Sequence, residues 1–198
     1  MELGLNIFVM VISYLLGSIP FGLLLAKFFA KIDITKYGSG NIGATNVLRI
    51  CGKRLATTTL VLDALKGVVA VLIAKILGDV TTQSIAAFFV VIGHTYSYWL
   101  KFKGGKGVAT SAAVYLVLAF PVFIFMAICW FGIFRYTRIV SLASVLTALI
   151  SLPIAIVYTP FSVSVAAVMI NVIVIVKHKE NIIRLLNGTE NKFAKKSE

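Results

Sequence analysis

Acidic residues are scarce in this chain of 198 residues, which has 7 Asp and Glu against 19 Lys and Arg and a formal net charge of +12 at pH 7. The two cysteines, Cys51 and Cys129, are too few for a disulfide framework. Charged residues make up 13% of the chain, about half the share that is usual in soluble domains. These scarcities argue against a soluble domain, a disulfide-stapled fold and a carboxylate-rich metal site.

Hydrophobic residues make up 60% of the chain and are gathered into long runs. A helix that spans a bilayer needs about 20 mostly apolar residues. One run is divided by Pro121, which lacks a backbone donor and disfavours helix just before it. The sequence therefore predicts an all-α integral membrane protein, a single domain over residues 1–198. We expect seven transmembrane helices, at 3–29, 55–77, 84–100, 108–120, 121–134, 139–158 and 161–176.

The loops between these runs differ in charge on alternate sides. Residues 31–54, 101–106, 135–138 and 177 onward contain Lys and Arg, whereas the connections "GDVTTQ", "AFP" and "YTP" contain neither. Because basic loops face the cytoplasm, we expect the N-terminus outside and the C-terminus in the cytoplasm. The basic balance follows either from the same rule with attraction to anionic lipid, or from charges that meet a highly anionic substrate, and charge alone does not separate the two. No nucleic-acid partner is expected.

The first polar loop, "YGSGNIGATNVLR", contains G-x-G-x-x-G but lies between predicted spans, so it lacks the βαβ context of a dinucleotide site. Glycine lets amides approach an anion closely, a helix beginning at Ala44 adds a favourable dipole, and Arg49 adds a planar fork. The loop therefore favours phosphate binding over a flexible surface connection. The candidate phosphate-binding residues are Gly38, Ser39, Gly40, Asn41, Thr45, Asn46 and Arg49.

The second polar loop contains "GGKG", a lysine among glycines that leads directly into a predicted helix at Val108. It lacks the Walker A frame, so it indicates a simple phosphate rather than ATP. His94, before this loop, is expected to have a structural role. The candidate phosphate-binding residues here are Gly104, Gly105, Lys106 and Gly107.

The third polar segment, "KHKENIIRLLNGTENK", follows the last predicted span. On a continuing helix, His178, Asn181 and Arg184 share one face, and Gly188 stops the helix. A neutral His beside an Asn can bind a hydroxyl group and accept its proton. The alternative is a solvated amphipathic tail.

Two polar groups lie inside the second predicted span. Asp63 and Lys66 are three residues apart and can pair as a structural device, or Lys66 can face the site and bind phosphate. Ser141, beside Arg138 at another cytoplasmic span end, is a further candidate phosphate ligand.

These three motifs, in this order along the whole chain, resemble the bacterial acyl-phosphate:glycerol-3-phosphate acyltransferase family. The resemblance implies transfer of a fatty acyl group from acyl phosphate to the 1-hydroxyl of glycerol 3-phosphate at the cytoplasmic face of the bacterial inner membrane. An acyl phosphate is already activated, so no cofactor and no metal is expected, and an acyl-phosphate-producing enzyme is an expected partner. The resemblance implies that Ser39 and Arg49 are needed for activity and that His178 and Asn181 are active-site residues. It implies a phosphate site formed by Gly104, Gly105, Lys106 and Gly107, and a role for Glu190 in structural integrity.

Two questions stay open at this point. Either His178 or the donor's own phosphate takes the hydroxyl proton, and we favour the phosphate, with His178 and Asn181 positioning the acceptor. Among rival functions, acyl-CoA-dependent acyltransferases are marked by a His-x4-Asp motif. This motif is missing here, because the residue five positions after His94 is Trp99 and the one five positions after His178 is Ile183. A phosphate-ester membrane transporter or binding protein is the alternative from another class, although no internal repeat is evident.

Overall fold

The computed structural model describes residues 2–193, and this part of the chain forms α-helices and two short 3₁₀ turns, with no β-strand. The α-helices are α1 (Glu2–Ser18), α2 (Phe21–Phe29), α3 (Ala44–Cys51), α4 (Lys53–Leu77), α5 (Val80–Thr95), α6 (Val108–Leu118), α7 (Phe120–Thr137), α8 (Val140–Tyr158), α9 (Phe161–Lys177) and α10 (Lys179–Leu186).

Most predicted span boundaries agree with these helices, and two do not. The first run is interrupted at Ile19 and Pro20, because proline cannot donate a helical hydrogen bond. The third predicted span was too long at its C-terminal end, since α5 stops at Thr95. The carbonyl groups of His94 and Thr95 instead accept hydrogen bonds from the amides of Gly105 (2.9 Å) and Gly104 (3.2 Å), which caps the helix.

The number of membrane crossings remains a prediction. Three segments are long and apolar enough to cross a membrane: Glu2–Phe29, Phe120–Thr137 and Val140–Tyr158. The pair α9 and α10, bent by 57°, would be a fourth if it forms one span. Helix α6 has 11 residues and so rises about 16 Å, roughly half the thickness of the hydrocarbon core. A seven-span arrangement would need local thinning of the bilayer around α6.

Small residues let the helices approach closely. Helix α1 packs along α5, where a Cβ added at Gly17 would overlap the Val90 carbonyl oxygen and one at Gly93 would overlap the Tyr14 carbonyl oxygen. Close backbone approach at small residues is typical of helix packing in lipid. Helix α4 packs on α6 and α5, and α7 packs on α8. The helices α4, α6, α7, α8 and α9 thereby surround one cavity.

Candidate functional site

A cavity of about 1220 Å³ is lined by polar side chains from the three motifs and, mainly on α7, by apolar side chains, and we call these two parts of the lining its polar end and its apolar end. All three polar motifs contribute to its lining, so the structure brings together residues as far apart in the chain as Ser39 and Glu190. Its apolar end is formed mainly by α7, with Phe123, Met126, Trp130 and Phe131. The polar end is lined by Ser39, Asn41, Thr45, Arg49, Lys53, Lys106, Ser141, His178, Asn181, Arg184 and Glu190.

The first loop is organised by the buried amide of Asn46. Asn46 Oδ1 accepts from the Ser39 amide at 3.0 Å, and Nδ2 donates to the carbonyls of Asn41 (2.9 Å) and Tyr37 (3.1 Å). These bonds occupy both ends of the Asn46 amide. Asn46 therefore holds the loop, and because it also lines the cavity its contact with phosphate stays a prediction.

The backbone amides of this loop are also engaged. The Gly40 amide donates to the Tyr37 carbonyl at 3.0 Å, and the Gly43 amide donates to Asn41 Oδ1 at 2.9 Å. Gly38 and Gly40 adopt φ of +61° and +67°, which favours glycine, and neither lines the cavity. The Gly40 amide is thus committed within the loop, both glycines shape its turn, and their part in phosphate binding stays a prediction. Ser39, Thr45 and Arg49 do line the cavity, and α3 begins at Ala44, as predicted.

The "GGKG" loop divides into two parts with different roles. The amides of Gly104 and Gly105 cap α5 and these residues do not line the cavity, so in this structure they support the loop, and their part in a phosphate site stays a prediction. Lys106 and Gly107 do line it. Gly107 has φ of +84°, which lets the chain turn into α6 at Val108.

Lys106 enters a hydrogen-bond network centred on Glu190. Its ammonium donates to Asn181 Oδ1, and Asn181 Nδ2 donates to Glu190 Oε1 at 2.7 Å. The same carboxylate accepts from Ser141 Oγ at 2.9 Å and from Arg184 Nε at 2.7 Å. The Ser141 hydroxyl on α8 is therefore a donor to Glu190, and this hydrogen bond connects α8 to the C-terminal segment.

Burial lowers the pKa of the Lys106 ammonium to about 8, although the charge of Glu190 opposes the shift. Burial alone would raise the pKa of Glu190, but the hydrogen bonds that it accepts outweigh burial and hold this pKa below its ordinary value. The polar end therefore has a carboxylate that stays ionised and an ammonium that is ready to gain an anionic partner.

His178 lies between α9 and α10 and is 2% exposed. Its Nδ1 is 2.7 Å from the Val174 carbonyl, which can only accept, so Nδ1 carries the proton and Nε2 has the free lone pair. Burial lowers the pKa of His178 to about 4, against the hydrogen bond to Val174, which favours the charged ring. The helix bends by 57° here, so the predicted continuing helix is wrong, yet His178, Asn181 and Arg184 all line the cavity.

The predicted pair in α4 is present. Lys66 Nζ lies 2.8 Å from Asp63 Oδ1 and donates to the Ile19 carbonyl at 3.2 Å. Lys66 is 2% exposed and does not line the cavity. Its position therefore favours a structural ion pair with Asp63 over contact with phosphate. Asp63 and His94 do line the cavity.

Arg184 and Phe193 are among the cavity residues that no sequence motif had placed in the site. Arg184, mentioned only for its helix face, lines the polar end and binds Glu190. Phe193 also lines the cavity, and the Arg49 guanidinium lies 6.0 Å from the centre of its ring. The i+3 spacing of Arg184 from Asn181 was the available signal for Arg184, whereas no local pattern marks Phe193.

The chain matches the family model described as glycerol-3-phosphate acyltransferase over residues 7–188. The chain belongs to this family. A glycerol-3-phosphate acyltransferase of Mesorhizobium japonicum is 48% identical over 193 residues, covering 96% of this chain and 97% of the relative. One from Agrobacterium fabrum is 46% identical over 186 residues, covering 93% of this chain and 90% of the relative. The match confirms the resemblance seen in the three motifs.

Solved structures of the family member PlsY have the same fold. A crystal structure of this integral membrane glycerol 3-phosphate acyltransferase, in its glycerol 3-phosphate form, is 38% identical with a TM-score of 0.91 and covers 96% of both chains. Its lysophosphatidic acid form has a TM-score of 0.88, with 38% identity and coverage of 96% and 95%. The chain is therefore an all-helical integral membrane protein, as predicted.

Proposed function

We propose that this chain transfers a fatty acyl group from acyl phosphate to the 1-hydroxyl of glycerol 3-phosphate, which yields lysophosphatidic acid and inorganic phosphate. Membership of the family makes it an acyltransferase that uses glycerol 3-phosphate. The acyl phosphate donor is our proposal, since an activated mixed anhydride requires no cofactor and no covalent enzyme intermediate.

The observation that carries this proposal is the two-ended cavity. Its polar end has the four cations Arg49, Lys53, Lys106 and Arg184, and its apolar end is lined by α7 side chains. An acyl phosphate has the matching form, a phosphate on a long apolar chain. Holding it beside a second phosphate ester requires charge compensation and orientation, which preorganised donors and cations supply.

We assign the charged contacts to Arg49 and Lys106. The Arg49 fork suits two phosphate oxygens, and the Lys106 ammonium is a point charge beside them. Ser39 adds a hydroxyl donor at the cavity wall. The cations offset repulsion between the two substrates and stabilise the phosphate that leaves when the acyl carbon bonds to the acceptor oxygen.

The proton of the acceptor hydroxyl goes to a phosphate oxygen of the donor. His178 Nε2 accepts a hydrogen bond from this hydroxyl and orients it, because Nδ1 is held by Val174. With its pKa lowered to about 4, His178 is a weak base, which favours the donor's own phosphate as the proton acceptor. The hydroxyl oxygen attacks the acyl carbon, the bond from this carbon to the phosphate oxygen breaks, and phosphate leaves with the proton.

The apolar end supports lateral entry of the acyl chain from lipid. Helices α4 and α7 both line the cavity, but α4 packs on α5 and α6 whereas α7 packs on α8 and α6. The cavity residues Leu60 on α4 and Ile128 and Phe131 on α7 are 50%, 68% and 64% exposed. This side of the cavity is the proposed portal.

The seven crossings, the N-terminus outside and a cytoplasmic site in the inner membrane belong to the same proposal. Residues of all three motifs line the cavity at the ends of the helices that the basic loops connect. Substrates and motifs then face the side where basic loops accumulate.

The test is a product assay on purified protein with labelled glycerol 3-phosphate and either palmitoyl phosphate or palmitoyl-CoA. We expect lysophosphatidic acid from palmitoyl phosphate alone. Product from palmitoyl-CoA alone would contradict the proposed donor. No product from either donor, combined with flux of glycerol 3-phosphate into vesicles, would favour the transporter alternative.

A further inference from the structure

Three buried ionisable side chains that the proposed mechanism does not use lie beneath the Lys106 loop. Asp63, Lys66 and His94 are 3%, 2% and 4% exposed. Lys66 Nζ lies 2.8 Å from Asp63 Oδ1, and His94 Nδ1 lies 3.4 Å from the same oxygen. Burial of charge is costly unless the groups are paired, so a buried cluster of this kind needs a physical reason.

His94 is in direct contact with the loop that carries Lys106. The Gly105 amide donates to the His94 carbonyl at 2.9 Å, and a Cβ added at Gly105 would overlap His94 Nε2. The three atoms nearest to this Cβ all belong to the imidazole. Gly105 has no positive φ, so its backbone conformation permits alanine and the ring forbids it. The imidazole is therefore the surface against which the loop packs.

Asp63 links this ring to both ends of the loop. Its carboxylate faces His94, which precedes the loop, and its backbone carbonyl accepts from Thr110 Oγ1, in the first turn of α6, at 2.9 Å. Lys66 neutralises Asp63 and donates to the Ile19 carbonyl, which lies at the break between α1 and α2 and also accepts from the Phe21 amide at 3.1 Å. The loop is thus attached to α4 on both sides through one residue.

We infer that Asp63 and His94 are positioning residues for the Lys106 ammonium. Asp63 orients the imidazole, the imidazole supports Gly105, and the next residue is then placed where it meets Asn181 and the substrate phosphate. The inference rests on the proposed function, in which Lys106 binds phosphate. Neither Asp63 nor His94 exchanges a proton with the substrates in this role.

A double-mutant cycle between His94 and Gly105 tests the inference. Gly105→Ala pushes the loop off the ring, so the KM for one phosphate substrate rises roughly tenfold, because a displaced ammonium forfeits much of a charge-assisted contact. In a His94→Ala background the methyl group has room, and Gly105→Ala changes the KM by less than about twofold, the usual scatter between independent sites. His94→Gln is a second background, since its flexible end can move aside.

Gly104→Ala is the matched control. A Cβ at Gly104 would overlap the backbone oxygen of His94, which neither substitution of His94 removes. We expect Gly104→Ala to raise the KM by a similar factor in every background. The contrast between the two glycines separates contact with the imidazole from general crowding of the loop.

The KM for each substrate, kcat and the thermal unfolding temperature are measured for every variant. An equal effect of Gly105→Ala in all backgrounds overturns the inference, as does a loss of kcat and stability with an unchanged KM. The cycle is also followed without turnover, through the rise in unfolding temperature that saturating glycerol 3-phosphate produces. A wild-type protein that binds glycerol 3-phosphate but forms no product would therefore reject the proposed function while the cycle still decides the role of His94.

Discussion

Lys106 donates a hydrogen bond to Asn181 Oδ1, although 75 residues separate them in the chain. The other end of the Asn181 amide donates to Glu190 at 2.7 Å, so both ends are committed. The ammonium is therefore held by the C-terminal motif, and a disturbance at Glu190 reaches Lys106 through one side chain. This connection leads to the first prediction.

Glu190→Gln should destabilise the protein and weaken activity. The amide places an NH2 group among donors and removes the charge that Arg184 binds, and a hydrogen bond to a charged group contributes about 1.5–3 kcal/mol. We expect unfolding stability to fall by about 2 kcal/mol and kcat/KM to fall at least about tenfold. Thermal unfolding and steady-state kinetics measure the two effects.

Glu180→Gln is the control for this prediction, because Glu180 is an exposed carboxylate 4.0 Å from the Arg184 guanidinium. It should leave stability and kcat/KM nearly unchanged. The lowered pKa of Glu190 adds a pH test. Its stabilisation is complete above the ordinary Glu pKa and is lost as pH falls through the folded-state pKa, so Glu190→Gln should lack this acid-side loss.

Lys106→Arg should change how substrate binding depends on pH. Since the pKa of Lys106 is about 8, the free wild-type enzyme loses this charge as pH rises through 8, and the KM for a phosphate substrate should rise there. Arginine stays charged, so the variant should show a flatter KM between about pH 7 and 9.5. The measurement is KM against pH for both proteins. An identical rise in the two would place the titrating group elsewhere.

His178→Gln should mainly raise the KM for glycerol 3-phosphate. Glutamine retains a hydrogen-bonding group but cannot act as a base, so positioning is weakened and the proton route through phosphate persists. We expect a KM increase of roughly tenfold and a kcat within about threefold of wild type, as for loss of one good hydrogen bond. Abolished turnover at saturating substrate would instead identify His178 as an obligate base. With a pKa of about 4, His178 should also add no limb to the pH profile near 6.5.

Gly132→Leu should reduce the use of long acyl donors. Gly132 lines the cavity on α7, and a Cβ there meets no atom within 4 Å, so a larger side chain can occupy acyl-chain space. We expect kcat/KM to fall roughly tenfold for palmitoyl phosphate and little for a short-chain acyl phosphate, since displaced methylenes forfeit about 0.8 kcal/mol each. Cys129→Leu is the control, because Cys129 is on α7 but does not line the cavity. Equal losses for both chain lengths would contradict the proposed acyl site.

Local patterns predicted most helix boundaries to within about three residues, and α5 is the main exception. The starts of α3 at Ala44 and α6 at Val108 follow glycine-rich loops and agree with expectation. The end of α5 at Thr95 was missed because the amides of Gly104 and Gly105, nine and eleven residues further along the chain, cap the carbonyls of Thr95 and His94. A distant hydrogen bond of this kind leaves no periodic signal in the hydrophobic pattern.

The roles of individual polar residues were harder to predict than their membership of the site. Asn46 and Gly105 are residue types that often bind phosphate. In this structure, however, Asn46 binds the backbone of its own loop and Gly105 packs on His94. A side chain or amide that satisfies a neighbour is chemically the same as one that faces a ligand. The two differ only in what lies within hydrogen-bonding distance.

The sequence by itself determined the membrane-protein class, the family and the three polar motifs, because apolar runs and motif spacing are properties of the linear chain. Only the tertiary structure decided which groups within the motifs remain available to substrates. It joined Lys106 to Asn181 and Glu190, and it placed Asp63 and His94 under the loop. Such contacts depend on how helices far apart in the chain pack side by side, and this packing sets which donors and acceptors are already satisfied.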